Sequence, residues 1–358
     1  MNKCQTKRKI LRTKFESADY NRVTYNTIEK TTYTPRSFSG SYIMPSSTSN
    51  FKSILQVGKG KGQLVYEMNK PSKAADSVAF SPDGRLIANT FYDSPARIWK
   101  VFDGELVTEL DKSTKLAQRV AFSPNGLLVI TASYSGDAKL WRVSDGKMIT
   151  KFSGGEYGED YVAFSPDGRF VATTYDNSNI RIWKVFGGKL VTELIGHGGH
   201  ILGMDFSPDG RFLATASDKH AARIWNIASK EIIAEFGMGS GEVNGVAFSP
   251  DGLFLATASQ DGIARIWYAS SGQLAMELPG HKGVIWNVAF SPNGDFVATA
   301  SQDNTARVWR TYDGALVAEF YGGRSRSGGT IDVAFSPDGY FLITASNDSG
   351  IRIWRVPM

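Results

Sequence analysis

The residues from which this chain could build a reactive site are four histidines, one cysteine and a short glycine-lysine run. His197, His200 and His220 fall on loops expected at one end of a single structural unit, and three imidazoles so placed can converge on a divalent metal. No acidic ligand pattern reinforces them. Gly58-Lys59-Gly60-Lys61-Gly62 lacks the six-residue frame, closing on Gly-Lys-Ser/Thr, whose backbone N–H groups cradle phosphate. Neither a Gly-x-Ser-x-Gly elbow nor a His-Glu-x-x-His helix occurs. With Cys4 alone no intrachain disulfide forms, which agrees with a reducing compartment. The chain is therefore expected to be no enzyme and to need no cofactor or metal; a hydrolase or metal enzyme is the third of three readings.

The elements that would position any site come from a repeat. Phe80, Phe122, Phe164, Phe206, Phe248, Phe290 and Phe335 each open a Ser-Pro-(Asp or Asn)-Gly turn, and Trp99, Trp141, Trp183, Trp225, Trp267, Trp309 and Trp354 follow at a constant offset of 19. The spacing is 42 residues five times and then 45. Such a period marks a repeat architecture, and it divides into four strands of about 6 residues with short turns. In the first unit these are a strand running into Phe80, then Leu86 to Phe91, Ala96 to Phe102 and Leu106 to Leu110. Pro82 presets φ in the first turn and Gly84 accepts the positive φ that ends it. A four-stranded sheet with large aromatics on two strands cannot bury both faces alone, so copies must stack on one another.

These units resemble WD repeats, and the resemblance covers residues 62–358. It implies an all-β, seven-bladed β-propeller that acts as a protein-interaction scaffold. The repeated element begins with a fourth strand, 62–68, and ends after a third strand, 351–356. The two deficits complement each other, so these strands are expected to pair and close the ring, removing two edges open to aggregation. The family's hydrogen-bonded set within a blade implies structural roles for His281, Ser301, Asp303 and Trp309, which keep all four positions. In an earlier unit His197, Ser217 and Trp225 match, with Asp218 displaced by one. The family's acid after the Trp is replaced throughout, by Lys100, Arg142, Lys184, Asn226, Tyr268, Arg310 and Arg355, which shifts the expected stability towards the apolar core. Arg97, Lys139, Arg181, Arg223, Arg265, Arg307 and Arg352, two residues before each Trp, are read as blade cations beside their own Trp and near a carboxylate rather than as a nucleic-acid track.

Residues 1–61 form a separate region without the repeat, carrying 12 Lys/Arg against 3 Asp/Glu and hence a net charge of +9 in a chain of +5. The remainder is therefore acidic, at −4. The extension is expected to be largely disordered, with the more apolar Phe51 to Val57 lying against the propeller. Lys7-Arg8-Lys9 is compatible with a targeting signal or an anionic contact, so the second reading is nucleic-acid or acidic-membrane binding through 1–61. No run of 18 apolar residues or apolar signal-peptide core appears, and a cytoplasmic, monomeric propeller is expected.

The first reading is a protein partner on one rim. Turns of the Ser-Pro-Asp-Gly kind share an end with the Asp103-Gly104 kind and hardly vary, whereas the opposite loops differ in every unit. Four residues before each repeat Phe stand Asp76, Gln118, Asp160, Leu202, Asn244, Trp286 and Ile331; in or before the second-to-third loops stand Tyr92, Tyr134, Tyr175, Gln260, Gln302 and Asn347. Trp286, the one Trp out of register, is either an exposed anchor or packed on its own blade. The charges on that rim are mixed: Lys70, Lys73, Lys112 and Lys115, then Glu156, Glu159 and Asp160, then Arg324 and Arg326. Mixed signs suit a protein better than a phosphate backbone.

Overall fold

The computed structural model describes residues 51–53, 63–68, 74–92, 94–110, 117–133, 137–152, 161–175, 178–219, 221–237, 241–322, 329–348 and 350–357. The blades belong to the compact unit Pro45–Met358. Every regular element among the described residues is a strand, and the strands form seven antiparallel sheets, the blades of a propeller. The first blade is Ala75–Phe80, Leu86–Phe91, Ser94–Lys100 and Leu106–Leu110. Its order is sequential, as in each of the next five blades.

Ring closure follows from chain order. Gln63–Met68 pairs with Ile351–Arg355 in the register Gln63↔Arg355, Leu64↔Trp354 and Met68↔Ile351. The last blade thus takes its outer strand from the start of the repeat. Phe51–Ser53 adds a further strand, pairing Phe51↔Met68 and Ser53↔Tyr66, so among the described residues this blade alone has five strands. A piece of the basic extension is therefore built into the sheet.

The apolar core lies between blades rather than within them. One cluster joins Ile224 and Phe236 of the fourth blade to Val243, Leu255 and Trp267 of the fifth, and six others span the remaining seams. Across three seams a Phe of the outer strand meets the next blade's Trp, at centroid separations of 5.8 Å for Phe152–Trp183, 5.6 Å for Phe236–Trp267 and 5.3 Å for Phe320–Trp354. Such a core disappears if one blade is taken alone.

The uniform end is a structural device. In each Ser-Pro-Asp-Gly turn the serine hydroxyl donates to the Asp or Asn side chain and accepts the N–H that starts the next strand, as in Ser81 Oγ to Asp83 Oδ1 at 2.6 Å and Leu86 N to Ser81 Oγ at 2.8 Å. The turn glycine, Gly84 at φ +71°, then lies beside Pro337 of the preceding blade, and Gly126 lies beside Pro82 in the same way. The motif closes its own turn and locks adjacent blades together, which accounts for its repetition.

Candidate functional site

The variable end is shaped by a bulge. In six blades the first two strands slip register around the residue four before the Phe, between Ala75/Ser77, Ala117/Arg119, Ile201/Gly203, Val243/Gly245, Ile285/Asn287 and Thr330/Asp332. Asp76, Gln118, Leu202, Asn244, Trp286 and Ile331 are therefore the extra, unpaired residues, re-aimed out of the ladder as bulges do. Four residues of the second set sit beside them. Tyr92 N donates to Ala74 O at 3.2 Å, Gln260 N to Glu242 O at 2.9 Å, Gln302 N to Val284 O at 2.8 Å and Asn347 N to Gly329 O at 3.1 Å.

Tyr92, Gln260 and Gln302 are exposed, and Asp76, Gln118, Leu202, Trp286, Ile331 and Asn347 are half-buried. Asn244 differs from expectation: it is 5% exposed, and its Nδ2 donates to Ile285 O of the next blade at 2.9 Å. It ties a seam and offers no surface, because the inner strand's backbone acceptor lies within its reach. Tyr134, Asp160, the side chain of Tyr175 and the rim charges Lys70, Lys73, Lys112, Lys115, Glu156, Glu159, Arg324 and Arg326 lie outside the described residues. The described rim is two-sided: Leu202, Trp286 and Ile331 come from the fourth, sixth and seventh blades, and Asp76 and Gln118 from the first and second.

Below the rim lies a ring that sequence reading missed. Three residues before each Phe, Ser77, Arg119, Tyr161, Gly203, Gly245, Asn287 and Asp332 line a central cavity of about 370 Å³. The Arg119 guanidinium carbon stands 4.4 Å from the centre of the Tyr161 ring, and the group also bonds the Tyr161 hydroxyl and Asp76 O, the latter at 3.1 Å. Asp332 accepts from Val78 N across the closing seam at 2.9 Å and from Asn287. Asp205, where the other units carry Ala, accepts from Phe248 N at 2.7 Å. Burial raises its pKa to about 7. Burial also raises Asp76 to about 6, against the lowering pull of Arg119 and with a further push from Asp332. The available signal was variation in residue type at a strand position flanked by near-constant Val, Ala and Phe.

The expected polar set in the sixth blade forms with one substitution of role. With Asp303 as acceptor, His281 Nδ1 carries the proton, 2.9 Å from Asp303 Oδ2; Nε2 accepts the Thr299 hydroxyl at 2.7 Å, and Thr299 in turn accepts Trp309 Nε1–H at 2.9 Å. Ser301 stands outside this chain; its hydroxyl lies 3.3 Å from Gly283 O and accepts Asp303 N at 3.2 Å. Thr299, two residues earlier on the same strand face, is the side chain that meets the indole N–H. The bond is general: Asn89, Thr131, Thr173, Thr215, Thr257, Thr299 and Thr344, ten residues before each Trp, accept its N–H at 2.6–3.0 Å. Each blade therefore keeps a buried polar link, contrary to the expectation of dependence on apolar packing.

Six blade cations form ion pairs of 2.7–2.9 Å with an outer-strand glutamate: Arg97–Glu109, Arg181–Glu193, Arg223–Glu235, Arg265–Glu277, Arg307–Glu319 and, across the closure, Arg352–Glu67. Trp286 takes part in none of these links. Among the proposed metal residues, His197 is 3% exposed with neither ring nitrogen hydrogen-bonded, His200 is exposed, and His220 lies outside the described residues.

No curated protein matches the chain. The family described as WD domain, G-beta repeat matches residues 104–142, 160–184, 188–226, 231–268, 272–310 and 315–355. Those six stretches cover more than half of the sequence, and with the seven blades they place this chain in the WD40 repeat family.

Proposed function

We propose that this propeller is a non-catalytic scaffold that holds a protein partner on its variable rim, and that it works in the cytoplasm. WD40 propellers typically serve protein interaction, and the observation that narrows this reading is Trp286. It is the one tryptophan outside the blade lock, it occupies a bulge, and it is half-buried, as are Leu202 of the fourth blade and Ile331 of the seventh. Large aromatics in such settings dominate interface energies. The carboxylate and amide of Asp76 and Gln118 on the other side suit polar partner groups.

The test is affinity capture by the full chain, followed by a binding titration of each captured protein against wild type and Trp286→Ala. A rim partner should lose at least about tenfold in affinity, the usual scale of an aromatic anchor, while Phe102→Ala at the uniform end changes nothing. The reverse pattern would sink the reading.

A second reading rests on the +9 charge of residues 1–61. Binding of nucleic acid or acidic vesicles that falls steeply with salt and vanishes when residues 1–50 are deleted would favour it.

A further inference from the structure

The repeat breaks at one turn on the outer circumference. The glycine that opens the outer strand has φ +68° at Gly104, +65° at Gly146, +59° at Gly188 and +70° at both Gly272 and Gly314. In the fourth blade that position is Lys230, held at φ +63°. This backbone region is disfavoured for any residue with a Cβ, and strain of this kind persists where surrounding structure over-determines it. In other seams the turn glycine lies close against the preceding outer strand, as Gly146 does against Thr108. Against Thr192 stands Lys230, and the seam opens into a cavity of about 450 Å³ lined by Leu190, Val191, Thr192, Glu193, Ile195 and Lys230.

Three further features mark this opening. The hydroxyl of Thr192 is buried without a hydrogen-bond partner. The apolar side chains around it are open to solvent, Val191 at 47% and Ile195 at 68%, with Phe186 at 76% on the adjoining turn. The local charge has also been changed. The first blade reads Val101-Phe102-Asp103-Gly104-Glu105-Leu106-Val107-Thr108-Glu109-Leu110, and the third reads Val185-Phe186-Gly187-Gly188-Lys189-Leu190-Val191-Thr192-Glu193-Leu194. Only Asp103/Gly187 and Glu105/Lys189 differ, and both replacements make the third blade more positive. Where Lys100 pairs with Glu105, the corresponding residues are Lys184 and Lys189, two like charges.

We propose that this groove is a docking site for an extended segment of a partner protein in which acidic and apolar residues alternate, added as a strand to the outer edge of Leu190–Leu194. The strand Leu190–Leu194 pairs inward with Asn179–Lys184, and no described strand pairs with its other edge. The molecule already uses this mode once, where Phe51–Ser53 adds to the outer edge of Gln63–Met68. Alternation puts successive side chains of the incoming strand on opposite faces, so its carboxylates enter the cavity beside Lys230, with Lys189 nearby, and its apolar side chains lie on the other face. A concave cavity beside a directional strand edge favours a peptide over a lipid surface, which offers no backbone to pair.

The probe is a fluorescein-labelled peptide of about nine residues alternating glutamate and leucine, titrated by anisotropy against the full-length protein. Saturable binding is expected, weakened at least tenfold by Lys230→Gly and by Lys189→Glu, and lost when the glutamates are replaced by lysines. Lys230→Gly restores the repeat's own residue, so its melting temperature should equal or exceed wild type, by up to about 3 °C, separating lost binding from lost fold. Trp286→Ala should bind the peptide as wild type does, which keeps this test independent of the rim. No peptide binding, equal binding by both groove variants, equal binding of the lysine peptide, or binding only to phosphatidylserine vesicles would overturn the proposal.

Discussion

The fourth and sixth blades present the same histidine at the same place and treat it differently. His281 bridges Asp303 and Thr299 and stands 6.1 Å from the Trp309 ring; His197 stands 6.2 Å from Trp225 with both nitrogens unpartnered. The difference is one residue of register. Asp303 has Lys219 as its counterpart, and the carboxylate of the fourth blade is on Asp218, whose Oδ1 lies 3.4 Å from the Ser217 hydroxyl. Both blades fold. What they share, Trp packing in the seam with its N–H on a buried threonine, is therefore sufficient, and the carboxylate-histidine link is an addition to it.

Removing the shared part should cost most. Trp309→Ala and Trp225→Ala should each destabilise by about 3–5 kcal/mol through lost burial and an open cavity. Denaturant midpoints would show this, and a loss confined to Trp309 would make the histidine link primary.

Acid should divide the blades next. Burial first, and then the Arg223 charge, lowers His197 to about 4. The stability it protects is complete above the unfolded pKa near 6.5 and declines as pH falls through the window to about 4, by up to about 3 kcal/mol. Asp205 and Asp76 act with the opposite sign, since their raised pKa values favour the fold below about 3.8 and less as pH rises through about 7 and 6. The decisive quantity is thus wild type minus His197→Phe, and a difference flat between pH 6.5 and 4 would refute the assignment. Asp303 contributes later: burial, which alone would raise its pKa, is outweighed by bonds from His281, Thr305 and Lys282 N, so its share is present above the usual carboxylate range and lost on stronger acidification.

The smallest effect sharpens the comparison by repair. Lys219→Asp should place a carboxylate within reach of His197 and add about 1 kcal/mol, the net value of one such bond. Unchanged stability would mean that the imidazole needs more than a partner in register.

The period, the seven blades and the closing strand were legible because strand order and missing elements are arithmetic on a repeat. Chemistry at single positions was less so. Ser301 matched a pattern by spacing, yet strand geometry put Thr299, two residues earlier, against the indole N–H. Asn244 looked like rim polarity and proved to be a seam tie, since which side of a bulge faces a neighbouring blade is not written in spacing. Lys230 stood openly in a column of glycines, but its meaning required the φ of that turn and the opening beside Thr192.

Joining Gln63–Met68 to Ile351–Arg355 has a consequence for synthesis. On the ribosome, the outer strand of the last blade emerges before any complete blade and has only Phe51–Ser53 to pair with until nearly everything else has been translated. For all that interval the nascent arc exposes an edge at each end, and its slowest contact spans almost the whole repeat. Any stop codon before Ile351 would leave a product permanently in that unfinished state, prone to join its neighbours edge to edge.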